Sequence, residues 1–408
     1  MRWSVLLAFS LMPAMAAAQG APASYEAVSG EDYKSEVLFF AFDGNYDGFL
    51  ARRQNESLQQ AFCLEGCERA TLDNPESFPH VRAELITDES ATWISLRMSD
   101  FWLGEKSHLL VSGQTGSFQE FDQQKLDDWE GETAVFNGNA LLLELVVSED
   151  AGLLPFYSID EIAFGRPPEA SPREPGALIE ESADSPQAVC GTDHRVPSHD
   201  ERLSRVWKNG CTAWPLANGA MLTAGHCVTA GGMGILEFNV PMSGPDGSPM
   251  HPDQSFQYKI MSDSVEYDSS GVGRDWAVFG VVPNDAGHLP KDVFGYFQVT
   301  RKGTDGEVTV RGYGRDSDPL GSGRNGFNAY SQTQQQHGGR YVVEPGGSVV
   351  VHEADTDTGN SGSPLLSGTG AAFGIHTHGK CDSRVTENKG TGFMNADFWA
   401  AIQKFGPL

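Results

Sequence analysis

Three short stretches carry residue types able to do chemistry together. His226 lies in MLTAGHCV (221–228), Asp275 in GRDWAVF (273–279) and Ser361 in GNSGSP (359–364). A serine hydroxyl is a poor nucleophile at neutral pH, and it becomes a good one when an imidazole takes its proton and a buried carboxylate fixes that imidazole's tautomer. The surroundings of Ser361 raise a related question. The stretch DTDTGNSGSPLL (355–366) places two glycines, an asparagine and two serines ahead of a strand-forming run. Such a stretch is either a polar turn or a backbone nest whose N–H groups can face an oxyanion. Singly, each motif has an ordinary reading as core histidine, surface aspartate or turn; occurring together, they describe acyl transfer through an activated serine.

These motifs, in the order His, Asp, Ser at separations of 49 and 86 residues, resemble the chymotrypsin-like (trypsin-fold) serine peptidases. The resemblance spans about 188–408 and is closest to the bacterial branch that includes the glutamyl endopeptidases. It implies a double β-barrel in which His226 is the base, Asp275 its orienting partner and Ser361 the nucleophile. It also implies that the backbone N–H groups of Gly359 and Ser361 form the oxyanion hole, and that Ser363 is not the nucleophile. The family often ties the strand before the histidine to the residue after it, which pairs Cys211 with Cys227. One departure is Asn360, where digestive members carry the aspartate that captures a newly cut N-terminal amine; without that carboxylate, latency has to come from upstream. The specificity signals conflict. His376 and Thr356 fall where glutamyl endopeptidases hold a substrate carboxylate, while Asp355 falls where trypsin selects basic side chains. An imidazole in the S1 wall favours Glu or Asp at P1 and competes with a cation.

The elements that must position these residues read as all-β. MLTAGHCV, DWAVFGVV, GEVTVRGYG, YVVEPGGSVVVHE and AAFGIHTHG are short, β-prone and divided by turn residues, and only ADFWAAIQKF (396–405) has the spacing of an amphipathic terminal helix. Residues 166–187 hold five prolines and no aromatic, as an extended, protease-accessible linker would. The reading divides the chain into a signal peptide at 1–18, an N-terminal region at 19–80, a β-sandwich-like domain and possible prosegment at 81–165, the linker at 166–187 and the peptidase domain at 188–408. The leader has Arg2, a short apolar run and a small-residue end at Ala16-Ala17-Ala18. No later segment is long and apolar enough to span a bilayer as a helix. Export makes the six cysteines a disulfide set with 15 possible connectivities. Cys63 and Cys67 are spaced for a small loop, and Cys190 and Cys381 are left for each other.

Asp43, Asn45 and Asp47 stand at alternate positions before Gly48, as in the first part of an EF-hand loop, but Gln54 sits where a bidentate glutamate is needed. The alternatives are a weak calcium site and a turn rich in Asp, Asn and Gly; no cofactor is otherwise required. Formal charge is −27, of which −21 falls in residues 1–185, a surface that repels nucleic acid and anionic lipid. The expected partners are protein or peptide substrates of a secreted monomer. The rival class is a surface-binding or adhesion protein with a vestigial peptidase domain. For latency, the expectation is that the acidic upstream region shields the cleft until a cut in the linker, with Glu169, Glu174, Glu180 and Glu181 as self-cleavage points if P1 is acidic, frees a peptidase starting near Val189 or Cys190.

Overall fold

The computed structural model describes residues 25–54, 56–61, 79–149, 154–166, 189, 192–229, 233–303, 306–316, 327–379, 381–382 and 385–408. The leader, the linker beyond Arg166, and Cys63, Cys67 and Cys190 lie outside these residues, so the Cys63–Cys67 and Cys190–Cys381 pairings do too. No helix among the described residues is long and apolar enough to cross a membrane.

Upstream of the linker two sheets face each other. One runs in the order Tyr25–Ser29, Phe156–Gly165, Trp93–Trp102, Phe136–Asn137; the other runs Glu36–Ala41, His80–Thr87, Ala140–Val147, His108–Gly113, Phe118–Phe121. The run ALLLELVV is apolar at nearly every position because it lies between two neighbouring strands and is covered on both faces. Its single charge, Glu144, is fully buried and paired at 2.5 Å with Arg53 Nε. A lone buried carboxylate would be costly, and the guanidinium supplied by the helix Tyr46–Arg53 offsets that cost.

One expectation is corrected here. The sandwich does not begin at 81, since Tyr25–Ser29 and Glu36–Ala41 are integral strands paired with Phe156–Gly165 and His80–Thr87; their partners are too far along the chain for local pattern to reveal. The Asp43, Asn45, Asp47 series leads into a helix. Residues 46–53 are a helix, and the Asn45 side chain is its N-cap, accepting from Gly48 N–H at 3.0 Å, while Asp43 accepts from Asn45 N–H. The Asn45 oxygen thus closes a helix end.

Downstream are two six-stranded barrels. In the first, Gln257–Lys259, Ile235–Phe238, Ser204–Trp207, Cys211–Pro215, Met221–Thr223 and Arg274–Phe279 follow one another, the ends join through the Ile260–Val281 bridge, and Glu266–Gly271 pairs outside. In the second, Gln335–Val343, Glu307–Gly312, Pro364–Leu366, Ala372–His378, Asn388–Gly392 and Val349–His352 close through the pairing of the first with the last. The expected terminal helix is Ala396–Gln403, capped by Asn395; its Phe398 stacks on Trp276 at 5.3 Å and so braces the strand that carries Asp275.

The sandwich and the first barrel share one hydrophobic core. Trp207 and Ile235 of the barrel belong to the same buried cluster as Trp93, Leu96 and Val135 of the sandwich. Trp93 meets Trp207 edge to face at 5.2 Å and His251 at 5.4 Å. Around this core Val135 N–H donates to Gln257 Oε1, Val135 C=O accepts from Gln257 Nε2, and Asn137 exchanges two bonds with the His251 backbone. Lys259, 4 % exposed at its side chain, ends between Glu132 at 2.8 Å and Glu130 at 3.0 Å. These contacts fall on Ser204–Trp207, Ile235–Phe238, Gln257–Lys259 and their adjoining loops.

Candidate active site

His226 sits in the one-turn helix Gly225–Thr229 just after Met221–Thr223, and Asp275 sits on Arg274–Phe279, the strand paired with it. This pairing brings the two side chains together. His226 Nδ1 lies 2.6 Å from Asp275 Oδ2, and the His226 backbone N–H donates to Asp275 Oδ1 at 2.8 Å. A carboxylate that receives both ring and backbone fixes the imidazole's tautomer, leaving Nε2 as the acceptor side. Asp275 is 1 % exposed, and its own backbone is pinned to the second barrel, where Thr391 Oγ1 donates to its C=O at 2.9 Å. Gly225 leaves no room for a side chain: a Cβ there would strike the Asp268 carbonyl.

Ser361 is tied to the His226 segment through the backbone and a disulfide. Its carbonyl accepts from Thr212 N–H at 2.8 Å, Thr212 follows Cys211, and Cys211 is disulfide-bonded to Cys227, the neighbour of His226. The turn around it has the glycines that the conformation needs. Gly359 adopts φ +106° and Gly362 φ +89°, and a Cβ at Gly359 would collide with the carbonyls of Tyr313 and Gly210. The N–H groups of Asn360, Gly362 and Ser363 donate to Asp357, His376 and Asn360 carbonyls. Among the described residues the N–H groups of Gly359 and Ser361 meet no acceptor. Two such donors in one turn are what a developing oxyanion requires. Ser363 is fully buried and its Oγ has no hydrogen-bond partner.

The three residues expected in the S1 wall separate. Thr356 and His376 are completely buried, and Thr356 Oγ1 and His376 Nε2 are left without hydrogen-bond partners. Asp355 is committed elsewhere. Its Oδ2 accepts from the His194 backbone N–H at 3.0 Å and lies 3.1 Å from His194 Nδ1 and 3.4 Å from His337 Nδ1. That corrects its expected place as a free anion for a basic side chain, because the segment after the linker has taken its carboxylate. The physical reason is tertiary: His194 lies 161 residues away in sequence.

Sequence reading missed His352. Its Nε2 is 3.1 Å from His376 Nδ1, both rings are buried, and burial pushes the His352 imidazole down to about 3. Burial likewise holds His376 well below the usual histidine range, and the charges of His352, His378 and His226 add to this. The contact occupies His376 Nδ1 and leaves its Nε2 without a partner among the described residues. The alternation in VVVHE placed His352 on an inward face, but pairing with His376 depends on both strands flanking Asn388–Gly392. The His378 side chain is 31 % exposed, with Nδ1 3.8 Å from Asp275 Oδ2 and its ring 6.1 Å from that of His226.

Several solved structures are similar to this chain. A Glu endopeptidase in complex with MPD is 21 % identical, covering 53 % of this chain and 98 % of that one at a TM-score of 0.40. Protease Anisep from Arthrobacter nicotinovorans is 15 % identical, covering 49 % and 93 % at 0.37. The thermostable serine protease AL20 from an extremophilic microorganism is 16 % identical, covering 50 % and 98 % at 0.38. Among curated proteins no relative matches. The family model described as Trypsin matches residues 191–396, half of the chain and the whole span from the segment before the first barrel to the start of the terminal helix. With two barrels, the His226–Asp275 pair and the Ser361 turn all inside that span, the chain belongs to the trypsin family of serine peptidases.

Proposed function

We propose that the protein is a secreted serine endopeptidase that cleaves peptide bonds after acidic residues. The observation that carries the catalytic reading is the coincidence of the doubly bonded His226–Asp275 pair with a serine turn whose Gly359 and Ser361 N–H groups are unoccupied. In this reading Ser361 Oγ attacks the scissile carbonyl as its proton passes to His226 Nε2, and the two N–H groups hold the oxyanion. Collapse breaks the C–N bond; the imidazolium returns the proton to the leaving amine and an acyl-serine remains. Water, deprotonated by the same imidazole, releases the acid and restores the serine. Asp275 stays ionised and stabilises the imidazolium.

Support for acidic P1 comes from the orphaned Thr356 Oγ1 and His376 Nε2, which a substrate carboxylate would satisfy, together with the engagement of Asp355 by His194 and His337. The shared core supports an upstream domain that stays with the peptidase. The test is labelling with a fluorescent fluorophosphonate, paired with a peptide-library cleavage profile. Wild-type and Ser363→Ala protein should label and cleave; Ser361→Ala should do neither. Labelling that survives Ser361→Ala and disappears in Ser363→Ala would overturn the assignment. No labelling of the wild-type chain would favour the vestigial-domain, surface-binding reading.

A further inference from the structure

Beneath the Ser361 turn lies a buried charge cluster that the catalytic steps do not use. Arg195 comes from the first described segment after the linker, and its side chain is 2 % exposed. It grips Asp193 through Nε at 3.0 Å and 3.1 Å and through Nη2 at 2.6 Å, and its Nη2 lies 3.9 Å from Asp357 Oδ2. Burial works most strongly against its charge, but the Asp193 hydrogen bonds together with the charges of Asp357, Asp193 and Asp316 outweigh it and hold the guanidinium protonated. Nη1 is buried with no hydrogen-bond partner.

Asp357 is where the turn begins. Its Oδ1 accepts from Thr358 N–H at 2.6 Å, its N–H donates to Asn360 Oδ1 at 2.9 Å, and its C=O accepts from Asn360 N–H at 2.9 Å. Asp357 and Asn360 thus clasp each other across the two residues between them, Gly359 included, and Ser361 follows directly. Asn360 Oδ1 and Arg195 Nη1 both crowd the open space above Gly314, where a Cβ would strike both atoms. Asn360 is neutral and cannot hold a cation by itself, whereas the carboxylates of Asp193 and Asp357 can. Burial pushes the Asp357 carboxyl up to about 6, against the pull of Arg195 and Arg315, so its ionised state in the turn depends on those cations. A carboxylate this enclosed is tolerated only with a charge partner, and removing one member of such a set leaves the other stranded.

We propose that Arg195 is a positioning residue for the 357–361 turn, supplying from within the chain the buried cation that organises it, so that the peptidase is assembled with residues 19–187 still joined. The inference rests on the serine-peptidase reading and adds to it that no freed amine and no cut in the linker is needed. The segment just after the linker, which carries Arg195, acts as the organiser of the turn.

The test uses the full chain. A fluorescent fluorophosphonate should label intact, uncut wild-type protein as fast as any form cut in 166–187. Arg195→Ala should lower kcat by about 100-fold or more, the scale of losing an oxyanion donor, with KM within about threefold, since the turn and not the substrate pocket is disturbed. Arg195→Lys should recover kcat to within about tenfold of wild type, because a cation is restored in a poorer geometry. Circular dichroism of each variant in the Ser361→Ala background reports folding. If Arg195→Ala does not fold, Asp357→Asn takes its place, and a kcat loss of about tenfold or more at unchanged KM supports the proposal. Labelling confined to the cut form, or kcat within about threefold of wild type in whichever variant folds, overturns it while leaving the peptidase reading intact. No labelling of any wild-type form overturns both.

Discussion

Trp93→Ala tests whether the sandwich and the first barrel are one cooperative unit. Trp93 is 1 % exposed and stands edge-on to Trp207 at 5.2 Å and His251 at 5.4 Å, both from the peptidase half. Gly165 closes over it from its own sheet, where a Cβ would strike the indole. Truncation removes a large aromatic from a site walled by paired strands that cannot collapse, so a cost of about 3–5 kcal/mol is expected. With a guanidinium slope of about 4 kcal/mol per M, the unfolding midpoint should fall by about 1 M. Far-UV circular dichroism on the Ser361→Ala background reads the sheets, and phosphonate labelling of the active protein reads the peptidase. Because the mutated residue lies in the sandwich, a coupled fold requires both midpoints to fall together. A drop in the dichroism midpoint with the labelling midpoint unmoved would refute the shared core as an energetic unit.

Asp275→Asn should lower kcat by about 10⁴-fold, since the amide can hold the wrong imidazole tautomer and cannot stabilise the imidazolium; steady-state hydrolysis of a small ester checks it, and a loss below about tenfold would place the orienting carboxylate elsewhere. Binding of an acyl-glutamate product should bring a proton with it. His376 is held neutral by burial in the free protein, and an incoming carboxylate raises its pKa in the complex. Affinity is therefore fully present below the free-state pKa and is lost as pH rises through the bound-state one. Calorimetry at pH 6 in buffers of different ionisation enthalpy should show proton uptake in Ser361→Ala and none in His376→Gln. Millimolar calcium should leave the melting temperature of the Ser361→Ala full chain unchanged, because Asn45 already spends its side-chain oxygen on capping the Tyr46–Arg53 helix.

What the sequence determined by itself was the chemistry and the order of its parts. TAGHC, GRDWAVF and GNSGSP are local because each solves a local problem: a turn that presents an imidazole, a strand end that offers a carboxylate, a nest whose Gly359 and Gly362 must take positive φ. Local constraints of that kind are written in consecutive residues. The terminal helix over 396–403 was legible for the same reason, and the Cys211–Cys227 bridge was implied by the family resemblance. Tertiary structure decided whatever depended on partners far apart in the chain. Asp355 has the right position for S1 but is claimed by His194, which arrives from 161 residues away. His376 gains His352 only when two strands settle on either side of Asn388–Gly392. The alternation of Asp43, Asn45 and Asp47 allowed a calcium site or a turn, and the helix that Asn45 caps, with Phe49 and Arg53 buried, was not legible in it. A strand also exposes only half of its pairing rule to inspection: its period tells which face is buried, and the neighbour that buries it is chosen by the whole fold. That is why the extent of the sandwich, its common core with the first barrel, and the buried Arg195 beneath the serine turn emerged only with the chain in three dimensions.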